Sequence, residues 1–314
     1  MLNKKANIKR NAITALLIFN FFFDLSLAQS KDVVNLCLGY TIHSFREISP
    51  SDASAAVKIY AESFKERITK RYNKPAFFTS TIYETDAQVE EALKKNQLDM
   101  LSLNSDEYFR FKKKFNIYPY LVAAPGENAF EKYVLIVRNE LKIKSPRDLK
   151  GKILSIPNPD YNPMLNDWLY NYLAKNGLQD ADKVFSQIKV FDKESNAVYE
   201  VFFKNADCTV IREKVFTTLK ELNPQLKNSL SVFASSAPMV LTFVVANANS
   251  DQELLKTILE EISDFHLTPS GKNILNIFKA KKWIRVRNED LNSAEEILNE
   301  NSAFIKKKSD KNND

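Results

Sequence analysis

Side chains able to make or break bonds are few in this chain and stand far apart. Histidine occurs twice, at His43 and His266, and cysteine twice, at Cys37 and Cys208. No group of His, Cys and acid falls at metal-ligand spacing. Asp106 and Glu107 are adjacent acids, but neighbours on a helix point about 100° apart and cannot share one substrate atom. With no nucleophile placed beside a base, the chain is not expected to be an enzyme. Five glycines in 314 residues exclude a glycine-rich phosphate cradle, a dinucleotide fingerprint and a Walker loop. No metal or cofactor is expected.

What remains is recognition without reaction. Arg212 is the sharpest candidate, standing where a strand-like run (Asp207 to Ile211) gives way to a helical one (Glu213 to Leu222). An arginine there could clamp a carboxylate or phosphate with two parallel bonds; an ion pair with Glu213 or another nearby acid is the alternative. In α/β proteins, ligands meet the loops at the C-terminal ends of strands and the helix N-termini. That rule selects Tyr40 and Thr41, with His43, after the first strand, and Asn104, Ser105 and Tyr108 after the third. Farther along it selects Asn158, Tyr161, Asn162, Ser195 and Asn196, and then Ser235 and Ser236. Each has a plainer alternative. Tyr40 and Tyr161 suit a strand end and an exposed loop. Ser105 and Ser195 suit helix caps. Asn158 and Asn162 suit a proline-rich turn, and His43 a structural role.

The elements that must position these residues alternate along the chain. Val33 to Leu38, Ala76 to Tyr83, Asp99 to Leu103, Tyr118 to Ala124 and Tyr133 to Val137 read as strands. So do Lys152 to Ile156, Ile188 to Phe191, Asp207 to Ile211, Leu230 to Ala234 and Val240 to Ala246. Between them, Val57, Tyr60, Phe64 and Ile68 mark one helical stripe, and Leu165, Trp168, Leu169 and Tyr172 another. Thr85 with Gln88, Ser250 with Glu253 and Ser293 with Glu296 have capping-box spacing. This rhythm argues for parallel sheets covered by helices.

Residues 1–28 read as an export leader. Lys4, Lys5, Lys9 and Arg10 precede an apolar run from Ala12 to Leu27, which ends in the small residues Ser26 and Ala28. Asn20 and Asp24 leave that run short of the roughly 20 residues of a membrane anchor, the alternative reading. The net charge is +6, half of it in the leader, and no basic stripe suggests nucleic acid. Cys37 and Cys208 sit in apolar runs and are expected to be buried free thiols, although an exported protein could pair them.

One segment is more specific. The run YVLIVR (133–138) is followed by IKSPRDLKGK (143–152). This resembles the substrate-binding proteins of phosphonate and phosphite ABC transporters, where a strand ending in Val-Arg precedes Ser-x-x-Asp-Leu-Lys-Gly-Lys and an anion-cradling loop. LDMLSL (98–103) and NADCTV (205–210) match further strands. The resemblance implies an α/β, two-lobed, type II periplasmic-binding-protein-like fold, with mixed sheets flanked by helices around a hinged cleft. Residues 29–122 and 238–305 would form one lobe and 123–237 the other, with 306–314 a disordered tail. The expected function is capture of a small anionic solute for an ABC importer by a periplasmic monomer; sensing for a membrane receptor or histidine kinase is the alternative. The loop PNPDYNP (157–163) departs from the family pattern. Pro159 and Pro163 lack N–H donors and Asp160 adds a negative charge, which argues against a plain phosphonate.

Overall fold

The computed structural model describes residues 33–45, 50–178, 181–277 and 279–311, with only the backbone described for a few of them, Tyr161 included. The expected leader lies outside the described residues.

The first third of the chain contributes β1 (Val34–Thr41), α1 (Pro50–Tyr72), β2 (Ala76–Tyr83), α2 (Asp86–Lys94), β3 (Met100–Asn104), α3 (Ser105–Phe111) and β4 (Ile117–Ala124). Next come β5 (Tyr133–Arg138), β6 (Ile153–Pro157), α4 (Pro163–Lys175), α5 (Ala181–Val184), β7 (Gln187–Phe191), α6 (Glu194–Phe202), β8 (Cys208–Arg212), α7 (Glu213–Leu222), α8 (Gln225–Ser229) and β9 (Leu230–Ser235). The chain ends with β10 (Thr242–Asn247), α9 (Gln252–Ser263), α10 (Pro269–Ile277), β11 (Lys282–Arg285) and α11 (Asn292–Lys311).

Among the described residues the strands form two sheets, one in each lobe. The first has the order β11-β4-β10-β3-β1-β2 and the second β7-β6-β8-β5-β9. The βα rhythm accounts for the parallel pairs β1–β2, β1–β3, β6–β7 and β6–β8. It does not account for β10, β11 and β5, which run antiparallel to their neighbours and make both sheets mixed. The antiparallel strands follow long-range crossings that a local pattern cannot register. β11 itself, four residues long, went unrecognised in the sequence.

Two chain segments connect the sheets, and they bind each other. Glu131 N–H donates to Met239 O at 2.8 Å and Met239 N–H to Glu131 O at 2.9 Å. The helices are α1, α9 and α10 over one face of the first sheet and α6, α7 and α8 over one face of the second. Phe64, Ile68 and Ile258 fill the first core, and Val134, Ile136, Val198 and Phe216 the second. The largest apolar cluster runs through both lobes, from Leu103 and Phe243 to Leu135, Trp168 and Ile297. It is closed by α11, which packs against α4 in the second lobe and α3 in the first. Lys112 with Glu295 and Lys175 with Glu300 tie that helix to α3 and α4 respectively. The charged segment read as a tail from 306 begins inside α11, which runs to Lys311.

Local signals fared unevenly. Thr85 and Gln88 form the expected reciprocal cap. Before α9 the cap is Asp251, not Ser250; its Oδ1 accepts the N–H groups of Glu253 and Leu254 at 3.0 and 3.1 Å. Ser293 lies inside α11, because the turn Asn288–Leu291 runs straight into that helix. Cys37 and Cys208 are both free.

Candidate functional site

A cavity of about 750 Å³ lies between the first sheet and α7 of the second lobe. Its first-lobe wall is formed by Leu38, Gly39 and Tyr40 on β1, Ser44 and Phe45 after it, Met100 and Ser102 on β3, and Leu121 to Ala123 on β4. Phe243, Val244, Ile262 and Trp283 complete that wall. The second lobe contributes Arg212, Lys214, Val215, Thr218 and Leu219, and the connecting segment contributes Glu131.

On α7, Lys214 and Thr218 are four residues apart and so share one helix face. Lys214 has no acidic partner among the described residues, nor has Lys279, a second lining cation. Arg212 is charge-matched. Its Nε donates to Glu194 Oε1 at 2.6 Å, its backbone N–H to Glu194 Oε2 at 2.9 Å, and its Nη1 lies 3.8 Å from Glu131 Oε2. The acid that Arg212 meets is thus Glu194, eighteen residues earlier in sequence.

The first-lobe hydroxyls are bound to one another. Ser102 Oγ donates to Ser44 Oγ at 3.3 Å, and Ser44 Oγ is 3.2 Å from Thr41 Oγ1. Thr41 Oγ1 donates to Glu107 Oε2 at 2.8 Å. Glu107 Oε1 meets His43 Nδ1 at 2.8 Å, and Oε2 also accepts the Asn104 N–H. Since Thr41 gives its proton to Glu107, Ser44 is the donor in its bond to Thr41. Thr242 Oγ1 likewise donates to Asn104 Oδ1 at 2.8 Å. The proton of each of these lining hydroxyls is used inside the protein. Burial raises the Tyr40 hydroxyl well above the ordinary phenol range, so it stays a neutral donor. The Glu107 hydrogen bond raises His43, burial opposing it.

Of the residues selected by sequence, Tyr40 and Arg212 line this cavity. Thr41 and Asn104 are buried behind it in the Glu107 network. Ser105 is fully buried and donates to Val240 O, and Tyr108 packs edge-on against Phe243 in the core. Asn158 accepts the Asp160 N–H within its own turn. Asn162 accepts the Tyr133 hydroxyl at 2.8 Å. Tyr161 is placed by its backbone alone, in the turn Pro159–Tyr161. Ser195 and Asn196 stand in the first turn of α6, where Lys193 is the cap residue. Ser235 is exposed at the end of β9, and Ser236 accepts the Tyr133 N–H. None of these lines the cavity, nor does any residue of 157–163.

Ser44, Ser102, Glu131, Lys214, Thr218, Thr242 and Lys279 line the cavity without having been selected from sequence. Two faint signals existed: Ser102 interrupts an apolar strand, and Lys214 and Thr218 share a face of an amphipathic helix. The family-like run is scaffold. Arg138 pairs with Asp207, whose other oxygen accepts the Ile153 N–H at 2.8 Å. Asp148 caps the turn through Lys144 and Ser145 N–H. Gly151 takes a φ of 73°, a left-handed conformation that glycine adopts freely.

The model of the family described as ABC transporter, phosphonate, periplasmic substrate-binding protein matches residues 48–291. No curated protein matches the chain by sequence. Among solved structures, the protein XAC2383 from Xanthomonas citri, bound to chloride ion, is 14% identical, with a TM-score of 0.66 over 87% of this chain and 99% of that one. The same protein has also been solved bound to ATP. A binding protein component of an ABC phosphonate transporter from Pseudomonas aeruginosa is 14% identical, covering 87% of this chain and 88% of that one at a TM-score of 0.60. PhnD1 from Prochlorococcus marinus, in complex with methylphosphonate, is 15% identical, covering 85% and 98% at 0.58. At such identities these structures speak to fold. The family match spans most of the chain and agrees with that fold: this protein belongs to the phosphonate family of periplasmic substrate-binding proteins of ABC transporters.

Proposed function

We propose that this substrate-binding protein captures an anionic solute in the cavity between its lobes. After cleavage of residues 1–28 it would act as a periplasmic monomer that presents the closed, loaded form to an ABC permease. The observation that carries the reading is the charge of the cavity wall. Lys214 and Lys279 add positive charge beside Arg212, which Glu194 already neutralises, and Glu131 is the lining carboxylate. Lys214 and Lys279 come from opposite lobes and lack acidic partners among the described residues. An anion touching both would favour the closed arrangement over the open one, which is the differential affinity that hinge closure needs.

The test is a thermal-shift panel of phosphonates, sulfonates and nucleotides on protein freed of ligand by unfolding and refolding. At least one anion should raise the melting temperature. Lys214→Glu should weaken its affinity by about ten-fold, a loss of about 1.4 kcal/mol. A panel that stabilises nothing, or a binder indifferent to Lys214→Glu and Lys279→Glu together, overturns the reading.

A further inference from the structure

We infer that the ligand is an organic anion with a bulky apolar body, its charged group held between the first turns of α7 and Lys279 and its body laid on the first-lobe sheet. This rests on the capture reading above and names the class of solute. A compact tetrahedral oxyanion needs several hydrogen-bond donors around it, because a charge stripped of water without them is costly to bury. The first-lobe wall does not supply such a shell. Its hydroxyls at Ser102, Ser44 and Thr242 direct their protons to Ser44, Thr41 and Asn104, and so present lone pairs to the cavity. Tyr40 is the neutral donor left on that wall.

Apart from Lys279, the rest of the same wall is apolar, and Ala123, Val244 and Trp283 are its half-buried members. The second-lobe wall differs, offering Lys214 and Thr218 on one face of α7 beside Arg212. The two walls thus ask for different chemistry at the two ends of one molecule. The volume of about 750 Å³ agrees. Pockets of about 300–1,000 Å³ hold drug-sized ligands, and a methylphosphonate ion would leave most of this space to water against apolar side chains. Each methylene laid on such a wall is worth about 0.8 kcal/mol.

Calorimetry on the refolded full-length mature chain tests this with phosphate, methylphosphonate, phenylphosphonate and octylphosphonate, and with octanol as the uncharged control. Phenylphosphonate and octylphosphonate should bind about ten-fold or more tightly than methylphosphonate, and octanol more weakly than octylphosphonate. Val244→Trp, which fills the first-lobe wall, should weaken octylphosphonate by about ten-fold or more and leave the headgroup contacts intact. Val244→Phe, a smaller filling of the same wall, repeats the test should Val244→Trp fail to fold. If methylphosphonate binds as tightly as octylphosphonate, the apolar-body inference falls and anion capture stands. If octanol matches octylphosphonate, the assigned headgroup site falls. If no anion binds, capture and inference fall together.

Discussion

Glu194 holds Arg212 twice, taking its Nε–H on one oxygen at 2.6 Å and its backbone N–H on the other at 2.9 Å. One carboxylate therefore fixes both side chain and main chain at the step from β8 to α7. The Glu194 side chain is 5% exposed and that of Arg212 18%. Arg212 is anchored in the cavity wall, and α7 with Lys214 and Thr218 starts from that anchor. Removing the arginine side chain takes the guanidinium from a buried acid, which keeps the backbone N–H of position 212. Arg212→Ala is expected to destabilise the fold by about 3–5 kcal/mol. The pair replacement Glu194→Leu with Arg212→Met should recover most of that loss. Urea denaturation of the two variants checks this.

His43 carries a pH signature. Its bond to Glu107 raises the imidazole above its ordinary value near 6.5. A raised histidine contributes stability that is complete below the unfolded value and disappears as pH climbs through the folded one. The stability gap between the wild type and His43→Ala should be widest near about pH 5 and narrow steadily toward about pH 9. Denaturation midpoints across that window provide the measurement; a gap that widens with pH contradicts the assigned contact.

Asp167 also loses stability as pH rises, for a different reason. Burial, and then the charge of Asp106 across the lobes, raises its carboxyl to about 6, although Asn301 Nδ2 donates to it at 2.6 Å. The native state holds this proton longer than the unfolded chain does. Stability is therefore lost as pH rises from about 4 to about 6. Asp167→Asn should match the wild type near pH 4 and exceed it above pH 6, by on the order of 1 kcal/mol once solvent screening is allowed for. Melting temperatures at the two pH values decide it.

Gly271, in the first turns of α10, is crowded by backbone. A Cβ there would stand 1.8 Å from Phe265 O. Gly271→Ala should cost more than about 2 kcal/mol or shift α10 bodily. At Gly126 a Cβ meets nothing within 4 Å, and Gly126→Ala should change stability by less than about 0.5 kcal/mol. Chemical denaturation of both alanine variants compares a blocked site with an open one.

The alternating elements, the cap at Thr85 and the two-lobed family were legible in the order of residues alone. These are properties of short stretches: a strand period of two, a helix period of 3.6 and fixed cap spacing. The family-like run was legible for the same reason, since Asp148 and Gly151 build one local turn, while Arg138 before it pairs with the distant Asp207. The cavity wall was not legible. Asn104, Ser105 and Asn162 sit at element ends, as ligand contacts do, and the fold uses them as caps and buried partners. Lys214, Ser102, Thr242 and Lys279 reach one cavity from four elements because the sheets cross over and two antiparallel connections bring α7 against the first lobe. Only long-range packing decides which faces meet, and local periodicity carries no record of it.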